Sequence, residues 1–240
     1  MEQRLIYIKE KIAELGIEIT DLQAKQFYQY YELLVEWNRF MNLTGITEFK
    51  EVVQKHFVDS LSIVHMKDMN HVDNLIDVGT GAGFPGLPLK IAFPHMHVTL
   101  LDSLNKRIQF LNKVIEVTGL SEIDTIHGRA EDYAKPGTKR EVFDLCVSRA
   151  VANLSILCEY CLPYVRIGGE FVPYKSGEIE AELAEAKTAV FLLGGKTEEC
   201  KTFLLPDSDI RRSLVRIKKV NGCPKKYPRK SGLPSKSPLR

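Results

Sequence analysis

Apolar residues change their spacing along the chain near residue 72. Before that point they recur at helical intervals, beginning with a helix that Thr20 and Gln23 can cap. An aromatic and apolar stripe follows on this helix, at Phe27, Tyr30, Tyr31, Leu34, Trp37 and Met41. The spacing predicts an N-terminal helical extension over residues 1–70, with the stripe as a core face.

From residue 72 onward, short apolar runs alternate with helical patterns. Seven runs are typical of strands: Asn74–Val78, His97–Asp102, Ile123–His127, Phe143–Ser148, Glu170–Tyr174, Thr197–Leu204 and Ser213–Val220. Helical patterns lie near 85–93, 105–118, 153–165 and 177–193. The alternation predicts an α/β fold with a doubly wound, mainly parallel seven-stranded sheet. The last two strands have only a short link between them, so we expect them to pair antiparallel.

Composition narrows the class of protein. The 240 residues are 44% hydrophobic and 27% charged, as in ordinary globular proteins, and no apolar run approaches the roughly 20 residues that cross a bilayer. The chain begins without the pattern of a signal peptide, so we expect a cytoplasmic protein without a membrane partner. Cys158 and Cys161 lack a second pair at zinc spacing, and we interpret them as core thiols rather than metal ligands.

Charge is distributed unevenly between the body and the C-terminus. The net charge is +2, yet the last twenty residues carry six basic side chains and no acid, which leaves −4 for the first 220. The sequence therefore predicts a sheet domain over 71–220 and a basic tail over 221–240. Lys225, Lys226, Arg229 and Lys230 are candidate contacts for a polyanion. A solvated, disordered tail is the alternative.

A glycine-rich turn joins the first predicted strand to the next helix. Residues 77–86 read DVGTGAGFPG, which satisfies both the dinucleotide pattern and the shorter pattern of S-adenosylmethionine-dependent methyltransferases. A pyrophosphate requires free N–H groups at the first helical turn, and Pro85 and Pro88 each remove one there. The turn therefore favours S-adenosyl-L-methionine as the cofactor and a methyltransferase domain over 71–220, although a dinucleotide remains an alternative.

Polar residues at the ends of the next strands support that interpretation. Asp102 ends the second strand and can accept both ribose hydroxyls; Ala130 and Glu131 follow the third, where an acid could accept the adenine amine; Arg149 ends the fourth. Open α/β sheets bind ligands at this edge. Singly, Asp102 could be a turn residue, Glu131 a helix cap, and Arg149 the partner of Asp144 or another acid.

Several segments together resemble the bacterial RsmG family, also called glucose-inhibited division protein B. The matching segments are Trp37-Asn38, Asn42–Thr44, His56–Ser60, Asp77–Gly86, Val98–Ser103 with Lys106-Arg107, Arg129–Glu131, Ser148–Val151 and Tyr227–Pro234. The glycine turn is shared with many methyltransferases, whereas the helical segments and the tail are more specific. The resemblance extends from about residue 30 to the C-terminus.

The resemblance implies methylation of a guanine N7, guanine-527 of 16S rRNA, in the small ribosomal subunit. It implies that Gly79 and Phe84 line the cofactor, that Ala130 and Glu131 hold its adenine side, and that Arg149 borders it near the target base. Gly81 of the glycine pattern is a further candidate cofactor contact. N7 already has a free lone pair, so we name no catalytic base. We also expect that the protein binds no metal ion and is a monomer. His56 could face the site or be a core histidine. A methyltransferase of small molecules or of another RNA, and a non-catalytic RNA-binding protein, remain alternatives.

Overall fold

The computed structural model describes residues 1–149 and 152–240, so Ala150 and Val151 of the segment after the fourth strand lie outside the described residues. The strands are β1 (Asn74–Val78), β2 (His97–Asp102), β3 (Ile123–His127), β4 (Phe143–Arg149), β5 (Val165–Ser176), β6 (Gly195–Leu204) and β7 (Arg211–Lys219). The helices are α1 (Glu2–Ala13), α2 (Asp21–Met41), α3 (Phe49–Val52), α4 (Asp59–Leu61), α5 (Gly86–Ala92), α6 (Asn105–Thr118), α7 (Ala130–Tyr133), α8 (Leu154–Cys161), α9 (Glu180–Leu192) and α10 (Leu233–Lys236).

The seven strands form one sheet in the order β3-β2-β1-β4-β5-β7-β6. The first five are parallel, and β7 is antiparallel to both β5 and β6. The doubly wound sheet and the antiparallel pairing of the last two strands are therefore confirmed. The strand order reverses between β1 and β4, which places the switch point of the sheet beside the glycine turn.

Each face of the sheet has its own core. The N-terminal helices, α5 and α6 cover one face, where Leu75 and Leu100 point, and α8, α9 and part of the C-terminal segment cover the other, where Ile76 lies. This division follows from the two-residue period of strands. The aromatic stripe of α2 is buried on the first face as the sequence predicts, with Trp37 partly exposed.

Local differences from the predicted elements have simple causes. β5 begins at Val165, five residues before the predicted start, and the preceding helix ends at Cys161 and continues as a 3-10 turn over Leu162–Tyr164. Pro163 explains this tightening, because its ring cannot continue an α-helix. The end of the predicted helical extension is broken up as well, into α3, a π-helix over Val53–Val58, α4 and a 3-10 turn over Ser62–His65.

Candidate active site

The glycine turn lies where β1 ends, and its backbone is fixed by the neighbouring strand. The amides of Gly79 and Thr80 both donate to the carbonyl of Leu101, at 2.8 and 3.1 Å. Gly81 N donates to Asp102 Oδ2 at 2.9 Å. Gly79 and Gly81 have φ values of 74° and 63°, a left-handed conformation that side chains rarely tolerate. A Cβ on Gly81 would contact nothing, so at this position the backbone is open to a ligand.

Asp77 holds the turn from below. Its Oδ2 accepts from Thr80 Oγ1 at 2.7 Å and from Gly86 N at 2.8 Å. Oδ1 is buried and has no hydrogen-bond partner among the described residues. Burial raises the pKa of this carboxyl to about 6, although both donors oppose the shift. Such an orphan acceptor at the end of β1 is suited to a ligand donor or a water molecule.

The first turn of α5 offers no amide to a phosphate. Gly86 N donates to Asp77, Leu87 N donates to the carbonyl of Gly83 at 2.8 Å, and Pro88 has no N–H. A dinucleotide site keeps such amides free for the pyrophosphate. The structure therefore supports the sequence-based argument against a dinucleotide. Besides the prolines, which have no N–H, the other amides of this turn already donate to acceptors within the protein.

A cavity of about 430 Å³ opens above the turn. All seven predicted cofactor residues line it: Gly79, Gly81, Phe84, Asp102, Ala130, Glu131 and Arg149. Its other walls include Leu43, Thr44 and His56 from the helical extension and Tyr160 from α8. The size and concave shape are those of a small-molecule site.

The two acids of this cavity keep acceptor capacity. Asp102 Oδ1 accepts from Leu104 N at 2.9 Å, whereas Oδ2 accepts from Gly81 N and from Arg107 Nη1, the latter at 3.2 Å. Glu131, 4% exposed, accepts from Gly232 N through Oε1 at 3.0 Å. A carboxylate offers about four acceptor positions, so both groups can bind further donors.

His56, Phe84 and Arg149 form a stack at one wall of the cavity. The rings of His56 and Phe84 are 4.4 Å apart, and the Arg149 guanidinium lies 4.9 Å from the centre of the Phe84 ring. Tyr30 stacks against the Phe84 ring at 5.3 Å and donates to the carbonyl of Ala82 at 2.5 Å. The aromatic stripe of α2 thus also supports the glycine turn.

Burial and, to a lesser extent, the nearby Arg149 lower the pKa of His56 to about 3. The imidazole is therefore neutral at neutral pH. Its Nε2 lies 2.8 Å from Thr44 Oγ1, and its Nδ1 lies 3.1 Å from the carbonyl of Lys55. The π-helix that carries His56 inserts an extra residue into its turn, a feature that often occurs at functional sites.

A second cavity, of about 440 Å³, lies on the other side of His56 and Arg149. Four basic side chains and two acidic ones line it: Lys55, Arg149, Lys175 and Arg212, with Asp59 and Glu182. Asp59 is 2% exposed and accepts from Arg149 Nη1 at 2.9 Å and from Arg212 Nε at 2.8 Å. This buried carboxylate holds two arginines at the wall that the cavities share.

The chain matches the GidB family model, described as rRNA small subunit methyltransferase G, over residues 23–214. The chain belongs to this family. A protein of Lachnoclostridium phytofermentans named ribosomal RNA small subunit methyltransferase G is 56% identical over 228 residues, 95% of this chain and 94% of its own. One of the same name from Alkaliphilus metalliredigens is 48% identical over the full length of both chains. The resemblance found in the sequence is confirmed.

More distant solved structures share the fold of this family member. The crystal structure of M. jannaschii TYW2 in complex with AdoMet has a TM-score of 0.55 at 12% identity, over 70% of this chain and 77% of that one. A single-residue mutant of MtNAS in complex with S-adenosylmethionine has a TM-score of 0.55 at 17% identity, over 90% of this chain and 78% of that one. The Rossmann-like sheet with its helical flank is therefore confirmed.

The structure separates the predicted RNA-binding residues from the cavities. Lys225, Lys226 and Lys230 are exposed. Arg229 instead binds Glu159 of α8, through Nη2 to Oε2 at 2.6 Å and Nε to Oε1 at 2.9 Å. The tail is mostly irregular, as predicted, but it is attached to the body, with Tyr227 buried in the second core.

The structure also shows the surroundings of the other residues that the sequence singled out. Arg149 pairs with Asp59 rather than with Asp144, which binds Arg166 at 2.6 Å. Cys158 and Cys161 are free and fully buried among apolar side chains, as predicted for core thiols. Among residues 1–149 and 152–240, no group of three metal-binding side chains occurs, and no helix is long and apolar enough to span a membrane.

Five residues of the site were missed or undervalued by sequence reasoning. Asp59 was noted only within the segment His56–Ser60, and Lys175, Arg212 and Tyr160 carried no signal. Arg212 and Asp59 are 153 residues apart in the chain, so no local pattern could pair them. His56 had been weighed as a core histidine, yet it lines both cavities.

Proposed function

We propose that this protein transfers the methyl group of S-adenosyl-L-methionine to N7 of a guanine in small-subunit ribosomal RNA. One observation carries the proposal: two cavities of similar size adjoin at His56 and Arg149, one built on a glycine turn and the other rich in basic side chains. A methyl donor and a nucleotide acceptor need adjacent sites, so that N7 can approach the methyl group in line. The names of the relatives supply the class of RNA.

The first cavity fits an adenosine-based methyl donor. Asp102 would accept from ribose hydroxyls through Oδ1, and Glu131 would accept from the adenine amine through Oε2. Gly79 and Gly81 allow close approach of the backbone, while Phe84 and Ala130 supply apolar contact. The lack of free amides for a phosphate in the first turn of α5 favours this ligand over a dinucleotide.

When bound, the cofactor supplies an electrophilic methyl group on a sulfonium. The guanine N7 lone pair is available at neutral pH, so the protein removes no proton before the attack. Its residues must align the base, exclude water and stabilise the positive charge that the purine acquires. Neutral His56 serves this purpose, since a protonated imidazole would add a like charge beside Arg149.

The second cavity would receive the base by its N7 edge. Guanine presents O6 and N7 on that edge, and arginine often donates to both. Here N7 must stay free, so we propose that Arg149 donates to O6 while Asp59 and Phe84 hold its guanidinium in position. The major groove of A-form RNA is too narrow for such contact, so the guanine must be in a loop or turned out of its stack.

The proposed partner is 16S rRNA, alone or in the small subunit, bound by a monomer in the cytoplasm. Residues 71–220 would form the catalytic domain, residues 1–70 would complete the wall around His56, and the lysines at 225, 226 and 230 would contact phosphates. Their exposure supports this role. Their affinity for RNA should fall as salt concentration rises.

The proposal is tested by incubating the purified protein with isotopically labelled S-adenosyl-L-methionine and either small subunits or protein-free 16S rRNA from a strain lacking this activity. Mass spectrometry of nuclease digests should find one N7-methylguanine per RNA, with the label in its methyl group. Label in a small-molecule fraction alone would favour a small-molecule methyltransferase. Absence of cofactor binding by calorimetry would favour a non-catalytic RNA-binding protein.

A further inference from the structure

The C-terminal segment, defined here as Cys223–Ser237, has two different sides. One side carries exposed lysines at 225, 226, 230 and 236. The other is bound to the body at several points. Arg140, 9% exposed, donates to the carbonyls of Cys223 at 2.5 Å and Tyr227 at 2.7 Å. Glu141 accepts from Cys223 N at 2.6 Å.

Arg229 makes the strongest of these attachments. Its guanidinium and its own backbone amide all bind the Glu159 carboxylate, which is only 1% exposed. Two parallel charge-assisted hydrogen bonds fix both position and orientation. Arg229 Nη2 also donates to the carbonyl of Ser237 at 2.8 Å, across α10. The Arg229 guanidinium therefore makes its hydrogen bonds within the protein, on the inner side of the segment, whereas the lysines face solvent.

The same attachment sets the position of Gly232. This residue lies three positions after Arg229 and has a φ of 85°. Its amide donates to Glu131 Oε1 at 3.0 Å, and Glu131 lines the first cavity. With Oε1 occupied, the carboxylate is held in one orientation, and among the described residues Oε2 has no hydrogen-bond partner.

We propose that Arg229 is a positioning residue of the cofactor site, acting through Gly232 on Glu131, rather than an RNA contact. The inference rests on the proposed function, in which Glu131 accepts from the adenine amine. A loose carboxylate must be ordered when the cofactor binds, whereas one already held by Gly232 binds at lower entropic cost. RNA phosphates on the lysines would contact the outer side of the same segment, away from the Arg229 guanidinium.

The test measures cofactor affinity and RNA affinity separately in full-length variants. R229Q should weaken binding of S-adenosyl-L-methionine about tenfold, the size expected for loss of a held charged acceptor. K225Q removes the same charge from the outer side and is the matched control. It should leave cofactor affinity unchanged and reduce the salt dependence of RNA binding, which R229Q should preserve.

The double variant distinguishes a positioning role from a general structural one. E131Q should weaken cofactor binding by itself, and adding R229Q to E131Q should cause no further loss, because the residue through which Arg229 acts is already changed. An additional tenfold loss in the double variant would overturn the proposal. So would R229Q binding the cofactor within twofold of the unmodified protein.

Two further outcomes keep the interpretation clear. R229Q leaves Glu159 buried without its partner, so E159A breaks the same contact from the other side and leaves the charge on Arg229, whose side chain is 24% exposed. E159A should show the same cofactor defect, and a normal affinity in E159A would refute the link. If E131Q itself binds the cofactor normally, the proposed adenine contact fails, and the inference about Arg229 fails with it.

Discussion

The two cavities that share His56 and Arg149 are built by different means. The first depends mainly on backbone: the glycine turn is fixed by amide hydrogen bonds to β2, and its acids lie at the end of β2 and at the start of α7, shortly after β3. The second depends on side chains from α4, β4, β5 and β7, joined through Asp59. A turn and strand ends are local features, whereas an ion cluster exists only in the folded chain.

The two constructions should respond differently to substitution. In the first cavity, one acid can change while most of the backbone cradle persists, because Gly79 and Thr80 stay bound to the Leu101 carbonyl, so the loss should be limited to cofactor binding. In the second, Asp59 is buried and depends on two arginines, so removing one leaves a charge only partly compensated. Arg149 lines both cavities and pairs with Asp59, so its replacement should have the largest effect.

Replacing Arg149 with alanine should reduce kcat/KM for RNA methylation by at least about 100-fold, because it removes the proposed O6 donor and one partner of Asp59. Methyl transfer to small subunits gives the rate, and calorimetry gives the cofactor Kd. R149K keeps the charge but not the planar donor pair and should be intermediate. An R149A protein that folds and retains a third of its activity would contradict the shared-wall assignment.

Replacing Asp102 with asparagine should raise the cofactor Kd by about 10- to 30-fold, the equivalent of one or two charge-assisted hydrogen bonds. RNA affinity should not change, because the residue lies in the first cavity alone. D132N is the matched control, since Asp132 is a half-exposed acid beside Glu131 that pairs with Lys135. Equal effects of the two substitutions would mean that Asp102 makes no specific cofactor contact.

The sequence was most informative where structure is local. It located all seven strands, although it predicted β5 shorter than it is. It also located the glycine turn and the acids near the next strand ends, because periodicity and glycine spacing are patterns within a few residues. Tyr30 was identified as core but not as support for the turn, since its partner Ala82 is 52 residues away. The π-helix that positions His56 also had no recognised pattern.

The second cavity and the attachment of Arg229 lay beyond such reasoning. Asp59 meets Arg149 and Arg212 across 90 and 153 residues, and Glu159 meets Arg229 across 70. Long-range pairs depend on how helices pack on the sheet, which one sequence does not specify. A basic tail predicts a polyanion contact from charge alone, but it does not tell which cation is paired within the protein.

Replacing Arg212 with glutamine should lower kcat/KM for RNA about 5- to 10-fold without changing the cofactor Kd. Arg149 would still pair with Asp59, so the loss should be smaller than in R149A. R211Q is the control, because Arg211 adjoins Arg212 in the chain but is more exposed than Arg212, pairs with Glu178 and lies outside the cavity. If R212Q affected only cofactor binding, the assignment of Arg212 to the second cavity would be wrong.

Replacing His56 with glutamine should have the smallest effect of these substitutions. The effect should appear in the pH dependence of stability as well as in catalysis. The pKa of His56 falls from 6.5 to about 3 on folding, so the unfolded chain binds the proton more readily. The stability that the neutral ring contributes is present above pH 6.5 and is lost as pH falls from there towards 3. Between pH 7 and pH 5, the unmodified protein should lose about 1–2 kcal/mol more than H56Q.

Urea unfolding at the two pH values measures this difference. Burial raises the pKa of Asp77 and so produces a trend of the opposite sign, but the Asp77 carboxyl is present in both proteins and cancels in the comparison. Parallel pH profiles for H56Q and the unmodified protein would mean that the imidazole is solvated or protonated in the folded state. The proposal that a neutral His56 lies next to the methyl donor and the base would then be wrong. A protonated His56 would be a second cation beside Arg149, at the place where the purine gains its positive charge.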